Sequence, residues 1–198
     1  MTDTRQLVID IETTGLPDAA PGGLHNGGLL LEVGMVLVTQ GLRPLAAWSA
    51  VIGHPRGQLD WIRECCSPVV RDMHDESGLW ADCATGGDTD RVDPVGSALE
   101  WLREWGVAPG TMPLTGSSVR FDRAWLAARM PELEGFFHYR IIDVSSIKEL
   151  AARWYPGKDF GLHPEKKHRV IPDCYDTLDE LKAYRDTIFR APTTAEEN

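Results

Sequence analysis

The 198-residue sequence predicts an α/β fold in which a mixed sheet, an antiparallel meander plus parallel strands, is flanked by helices. Three observations predict it. Residues 7–11, 29–39 and 45–52 are apolar runs with strand character, and Gly41 and Pro44 mark a short turn between the last two. From residue 59 onward apolar residues recur at helical spacing. Two short apolar runs, 112–116 and 140–144, then alternate with those helices, which is how parallel strands are added to a sheet.

In chain order, strand 7–11 leads into a turn at residues 13–17 and a Gly/Pro-rich loop that lasts to Gly28. That loop exceeds the usual strand connection, so it is expected to be functional or mobile. Residues 59–64 and 68–74 are expected to be short helices, and residues 86–91 a polar surface loop. Asp93-Pro94 opens a helix to about Trp105 with Val95, Leu99 and Leu102 on one face. Ser117 or Ser118 is expected to cap the next helix, with Phe121, Trp125 and Ala128 facing inward. Residues 145–154 form another helix. A last one begins at Pro172-Asp173 and turns Leu178, Leu181, Tyr184 and Ile188 inward. Residues 1–190 are expected to form one domain and 191–198 a disordered polar tail.

Composition narrows the function. A net charge of −10 argues against a broad basic surface for long duplex nucleic acid, but not against a short strand held by metals and local contacts. Cys65, Cys66, Cys83 and Cys174 have no zinc-site spacing, and reduced thiols in a cytoplasmic protein are the expectation. The N-terminus lacks the pattern of a signal peptide. No run reaches the roughly 18 apolar residues of a membrane span, Glu32 interrupting the best of them.

The chemistry starts at the end of the first strand. Side chains at i and i+2 share a face, so Asp10 and Glu12 stand side by side. Carboxylates that close resist ionising together, and a hard divalent cation such as Mg²⁺ or Mn²⁺ removes the penalty. A solvated strand end would give the same Asp-x-Glu. Asp122 opens a helix, where the dipole alone favours an acid, and Asp173 could serve as an N-cap. His168 lies in a basic stretch, Lys166-Lys167-His168-Arg169, where a solvated loop residue is equally ordinary. Together, however, four acids at strand and helix ends with one histidine are what two-metal phosphodiester hydrolysis requires. A histidine's ordinary pKa of about 6.5 suits a general base.

The ordered set of Asp10, Glu12, Asp122, His168 and Asp173 resembles the DEDDh 3′→5′ exonucleases, which have a ribonuclease-H-like fold. Within them it is most similar to the oligoribonucleases, enzymes that degrade very short RNAs. The runs MPELEGFFHYRIIDVSSIKELAARW at 130–154, DIETTGL at 10–16 and MHDESGL at 73–79 carry the resemblance, which extends over residues 7–185. It implies two Mg²⁺ or Mn²⁺ ions on Asp10, Glu12, Asp122 and Asp173, with His168 as general base. It implies substrate contacts from Thr13, Leu16, His74, Ser118, Ser145 and Ser146, with Leu16 stacking on the terminal base and the serines on the 5′ phosphate. It also implies a homodimer in which His138, Tyr139 and Arg140 reach the neighbouring site. Asp143 is expected to support the site without ligating. The expected product is a 5′-mononucleotide, released from short single-stranded RNA. A proofreading-type DNA exonuclease and an inactive nucleic-acid-binding relative remain as alternatives. Three features depart from the family pattern: the longer loop at 17–28, Arg120 in place of a small residue, and Val69 where an aromatic is expected.

Overall fold

The computed structural model describes residues 4–18, 20–86, 93–162 and 167–189. Among them, five strands form one sheet: β1 (Gln6–Thr13), β2 (Leu30–Val38), β3 (Pro44–Val51), β4 (Leu114–Gly116) and β5 (Ile141–Asp143), in the order β3-β2-β1-β4-β5. β1 pairs antiparallel with β2, and β2 with β3, while β1–β4 and β4–β5 are parallel. This is the mixed sheet that the sequence predicts. β3 is the outer strand of the meander, and its Pro44 stands first, where the missing N–H takes least from the ladder.

Eight helices accompany the sheet among the described residues: α1 (Arg56–Cys65), α2 (Pro68–Glu76), α3 (Leu79–Ala84), α4 (Pro94–Glu104), α5 (Arg120–Arg129), α6 (Pro131–Phe136), α7 (Val144–Trp154) and α8 (Val170–Thr187). Both faces of the central sheet are covered. On one, Leu7, Ile9, Ile11, Val33, Met35, Leu37 and Leu114 pack with Leu102, Trp125, Leu126 and Leu133 from α4–α6. On the other, Val8, Val36 and Val38 meet Val144 and Ala151 of α7 and Cys174, Leu178, Leu181 and Tyr184 of α8. Alternation along β1 therefore places Asp10 and Glu12 on the α8 side, in line with Val8. A third cluster joins Leu29 and Leu31 to Leu59, Ile62, Leu79 and Trp80 of α1–α3.

Several boundaries differ from expectation for local reasons. α3 and α6 are six-residue helices, too short to show a period. In α5, Trp125 is buried as expected, but Asp122 and Leu126 are buried beside it and Ala128 is exposed. α5 has Val119 at its N-cap and no side-chain cap; Ser118 instead sits at φ 56. α8 begins at Val170, and Asp173 lies within its first turn, not at its cap. The expected loop at 86–91 and the expected tail fall almost wholly outside the described residues. No described helix is long and apolar enough to cross a membrane.

The long loop after β1 folds back on itself. The buried Thr14 ties its ends: its N–H donates to Leu29 O (3.1 Å), its Oγ1 donates to Gly22 O (2.7 Å), and Leu29 N–H donates to that same Oγ1 (2.8 Å). Leu24 enters the core, and the Arg129 guanidinium donates to Leu24 O and Gly28 O. Its described residues form a packed, hydrogen-bonded Ω-type loop.

The N-terminus of α8 meets the sheet at Gly34, the register partner of Asp10. A Cβ on Gly34 would lie 2.4 Å from Cγ2 of Val170. Gly34→Ala is expected to destabilise the fold by about 1–3 kcal/mol through overpacking. A urea midpoint equal to wild type would show that α8 can ride further from the sheet.

Candidate active site

The site is assembled from both ends of the chain. β1 supplies Asp10 and Glu12 on the face that α8 covers, α8 supplies Asp173, and the residues before it supply His168. Ligand atoms of Glu12, His168 and Asp173 all lie within 4.8 Å of one another. Asp122 arrives on α5. Its position follows from Gly116, which ends β4 against β1: a Cβ there would lie 2.9 Å from Ile9 O. The chain can then turn tightly into α5 and aim Asp122 back at β1.

Electrostatics ties Asp10, Asp122 and Asp173 to the neighbourhood of Cys174. Burial pushes the Asp122 carboxyl up to about 7; hydrogen bonds from its own N–H and that of Ile11 pull downward, and the charge of Asp143 adds to the rise. The Cys174 thiol, buried in α8 against β1 and β2, is pushed well above its ordinary range by burial and by the nearby charges of Asp10, Asp122, Asp173 and Glu32. A site in which acidic oxygens are crowded and one carboxyl is held partly neutral by burial suits a hard divalent cation, which would bind these oxygens and favour their ionised form. Glu12 and Asp173, grouped with His168, fit such an ion, while Asp10 shares β1 with Glu12 and Asp122 accepts from the Ile11 N–H beside it.

Asp10 and Asp173 open onto a cleft of about 810 Å³ between α7, α8 and the segment around residues 157–162. Ser118 and Ser145 line the same cleft, and Ser118 Oγ donates to Ser145 Oγ (3.1 Å). Both depend on Asp143. Its Oδ1 accepts from Ser118 N–H (2.9 Å) and Ser145 N–H (3.1 Å), capping α7. Ser146 donates to the other oxygen of Asp143 (3.1 Å) and does not line the cleft.

The remaining expected residues fall in three places. Leu16 stands exposed on the turn after β1, its carbonyl accepting from Asp18 N–H and Leu24 N–H of the long loop. Thr13 is buried, and its hydroxyl donates to Gly15 O (2.9 Å). His74 corrects the expectation of direct substrate contact: at 0% exposure it cannot reach solvent as placed. Its Nε2 bonds Thr13 O (2.9 Å), its Nδ1 lies 3.9 Å from Glu12 Oε2, and burial lowers its pKa. It buttresses Thr13 and Glu12 from behind. His138, Tyr139 and Arg140 lie away from the cleft, just before β5. Tyr139, 72% exposed, is flanked by the His138 ring (4.4 Å between centroids) and the Arg140 guanidinium (5.4 Å). Arg123, next to Asp122, donates to His138 O and Tyr139 O and pairs with Glu134.

Two residues of the neighbourhood escaped the sequence reading. Glu32, which reads there only as a break in an apolar run, is buried on β2 opposite Glu12. Arg169, which reads as one member of a basic stretch, holds it. The available signal was a lone acid in a strand whose nine residues are all buried, since such an acid needs a partner.

A mixed sheet that brings Glu12, His168 and Asp173 together, with Asp10 on the same strand and Asp122 on a helix beside it, is the arrangement expected of a 3′→5′ exonuclease with a ribonuclease-H-like fold. Solved structures agree on the fold. The zinc-bound E. coli ExoI–ssDNA complex superposes with a TM-score of 0.63 at 13% identity, covering 94% of this chain and 41% of that one. S. pombe Pop2p in its Mg²⁺- and Mn²⁺-bound form gives 0.63 at 13% identity, covering 93% and 84%. No family model matches the chain. Curated relatives do. The oligoribonuclease of Streptomyces griseus is 40% identical over 187 residues, 93% of this chain and 87% of the relative. That of Thiobacillus denitrificans is 34% identical over 191 residues, 96% and 98%. The chain belongs to the oligoribonuclease family.

The raised Asp122 carboxyl carries a stability prediction. The folded protein keeps a proton there that the unfolded chain, at an ordinary 3.8, releases, so metal-free stability falls as pH rises from 3.8 to about 7. In EDTA, Asp122→Asn should gain on wild type through that window and keep the gain at pH 8. Urea unfolding curves whose difference is constant with pH would show that Asp122 is not the cause.

Proposed function

We propose that the protein is a divalent-metal-dependent 3′→5′ exoribonuclease that trims short single-stranded RNA to 5′-mononucleotides. The observation that carries this reading is the meeting of Glu12, His168 and Asp173 within 4.8 Å, beside a cleft lined by Asp10, in a chain of the oligoribonuclease family. Asp10, Glu12, Asp122 and Asp173 would hold two ions, Mg²⁺ or Mn²⁺. When bound, these supply Lewis-acid activation of the attacking water and neutralise charge on the departing oxygen.

The chain's own residues do the rest. His168 takes the proton of the water as its oxygen bonds to phosphorus. The bond from phosphorus to the 3′ oxygen of the preceding nucleotide breaks, and the terminal residue leaves as a 5′-monophosphate. Leu16, exposed and braced by the long loop through its carbonyl, offers an apolar surface to the terminal base, a contact that needs no sequence reading. Ser118 and Ser145, held as a pair by Asp143, offer hydroxyls to a 5′ phosphate and so favour short strands. Thr13 and His74 serve from behind by bracing Glu12, and Ser146 by bracing Asp143. The outward Tyr139, stacked between its neighbours and anchored by Arg123, supports a homodimer in which Tyr139 and Arg140 complete the neighbouring site. Four free cysteines suit a cytoplasmic place, and residues up to about 190 are read as one catalytic domain.

Two experiments test this. In a digestion series on labelled RNA and DNA of two, five and twenty nucleotides, the RNA dinucleotide should be cut fastest in Mg²⁺ and nothing cut in EDTA. Asp10→Ala or Asp173→Ala should abolish cutting, and His168→Ala should slow it by about 10²–10⁴-fold. Long strands cut as fast as the dinucleotide would remove the phosphate-cap role, and activity surviving both acid variants would remove the metal assignment. In the second, wild type should sediment as a dimer and Arg140→Ala should lose activity without losing the dimer. A monomeric, fully active wild type would sink the trans contribution.

A further inference from the structure

We infer that Arg169 is a positioning residue for the reaction, a clamp that sets His168 through Glu32 and Asp82. The inference rests on the role just proposed for His168. Arg169 follows His168 directly and precedes the first residue of α8. Its Nε donates to Glu32 Oε2 (2.9 Å) and its Nη2 to Glu32 Oε1 (3.1 Å), a two-pronged pair that fixes the guanidinium in orientation as well as distance. Its Nη1 donates to Asp82 Oδ2 on α3 (2.9 Å). Glu32 Oε2 also receives Val170 N–H at 3.4 Å, one of the helix-end donors without a partner inside α8. One residue thus joins β2, α3 and the start of α8, and it does so next to the proposed general base.

Two features make this more than a tie between elements. His168 has φ 51, a left-handed conformation that costs a residue with a Cβ on the order of 1 kcal/mol and persists only where its surroundings impose it. The Arg169 side chain is the anchor on the C-terminal side, one Cα step of about 3.8 Å away. The second feature is where Glu32 stands. It faces Glu12 across the β1–β2 ladder, on the face that carries Asp10. A free carboxylate there would add a further charge and a competing metal ligand to the site. Arg169 occupies both of its oxygens, so Glu32 serves as a support for the base and the four ligating acids remain a defined set. Lysine cannot do this: a point charge holds neither two oxygens in one plane nor a third on another helix.

The test uses the whole protein and reads kcat and KM on a labelled RNA dinucleotide in Mg²⁺. Arg169→Met and Arg169→Lys should lower kcat by about 10–100-fold, because a shift of the base by about 1 Å is enough for that, with KM within about twofold of wild type. Asp82→Asn, an isosteric change at a half-exposed side chain, should lower kcat by a few-fold in the same manner and keeps the test open if an Arg169 variant fails to fold. The decisive comparison is in the His168→Ala background. There Arg169→Met should cost less than about twofold more, since a clamp with nothing to position has no further effect. An equal loss in both backgrounds, or a rise in KM at unchanged kcat, would overturn the proposal. If wild type cuts no oligonucleotide, or His168→Ala is fully active, the proposed function fails and the clamp is judged on the His168 ring resonances of ¹⁵N-histidine-labelled protein. A shifted or broadened His168 signal in Arg169→Met upholds the clamp, and an unchanged one overturns it.

Discussion

The approach of α8 to the sheet is the constraint on which the rest depends. Asp10 and Glu12 stand near one end of the chain, and His168 and Asp173 near the other. They meet only because the first turn of α8 lies against β2 at a point where Gly34 has no side chain. Cys174, Leu178, Leu181 and Tyr184 then bury the rest of that helix face against Val8, Val36 and Val38 and hold it there. Apolar burial supplies the force, and one glycine sets how close the acids come.

Around that contact the molecule separates ligands from supports. The carboxylates assigned to metal sit at strand and helix ends, where hydrogen bonds from local N–H groups can reach them. Behind them stands a ring of hydrogen-bonded polar residues: His74 through Nε2 on Thr13 O, Asp143 under Ser118 and Ser145, Arg169 on Glu32. Buried polar groups of this kind stay in place only when each has a partner, and a cluster so bonded is rigid. Rigidity matters because the reaction depends on holding a water, a base and a phosphorus in line.

Much of the chemistry could be read from the chain because it obeys short periods. Asp10 and Glu12 share a face by the two-residue repeat of a strand, and the strand itself is plain in residues 7–11. Asp122 was legible as an acid in the first turn of a helix and Asp173 as an acid at a helix start, and the run at 130–154 identified the family. Other residues were not legible. His74 is two residues from the end of a short helix and gives no sign that it faces inward under Thr13. Glu32 looks like an interruption, because its partner lies 137 residues away. Ser118 suggests an ordinary helix cap until its φ of 56 shows that the backbone, not the hydroxyl, makes the bond to Asp143. In α5 the expected Trp125 is buried, but the polar Asp122 is buried with it, which an apolar stripe does not announce.

The sequence by itself determined the fold class, through the periods of its strands and helices, and the reaction type, through the runs that resemble the oligoribonucleases, since both are local patterns in the chain. Only the tertiary structure decided which of the expected residues face the cleft and which stand behind it. It placed Ser118 and Ser145 along the cleft, turned the Ser146 hydroxyl to Asp143 and His74 to Thr13, and joined Arg169 to Glu32. The physical reason is the same in each case. Which way a side chain faces is set by how elements pack, and partners 27 residues apart (Ser118 and Ser145), 61 apart (His74 and Thr13) or 137 apart (Arg169 and Glu32) leave no local pattern in the chain.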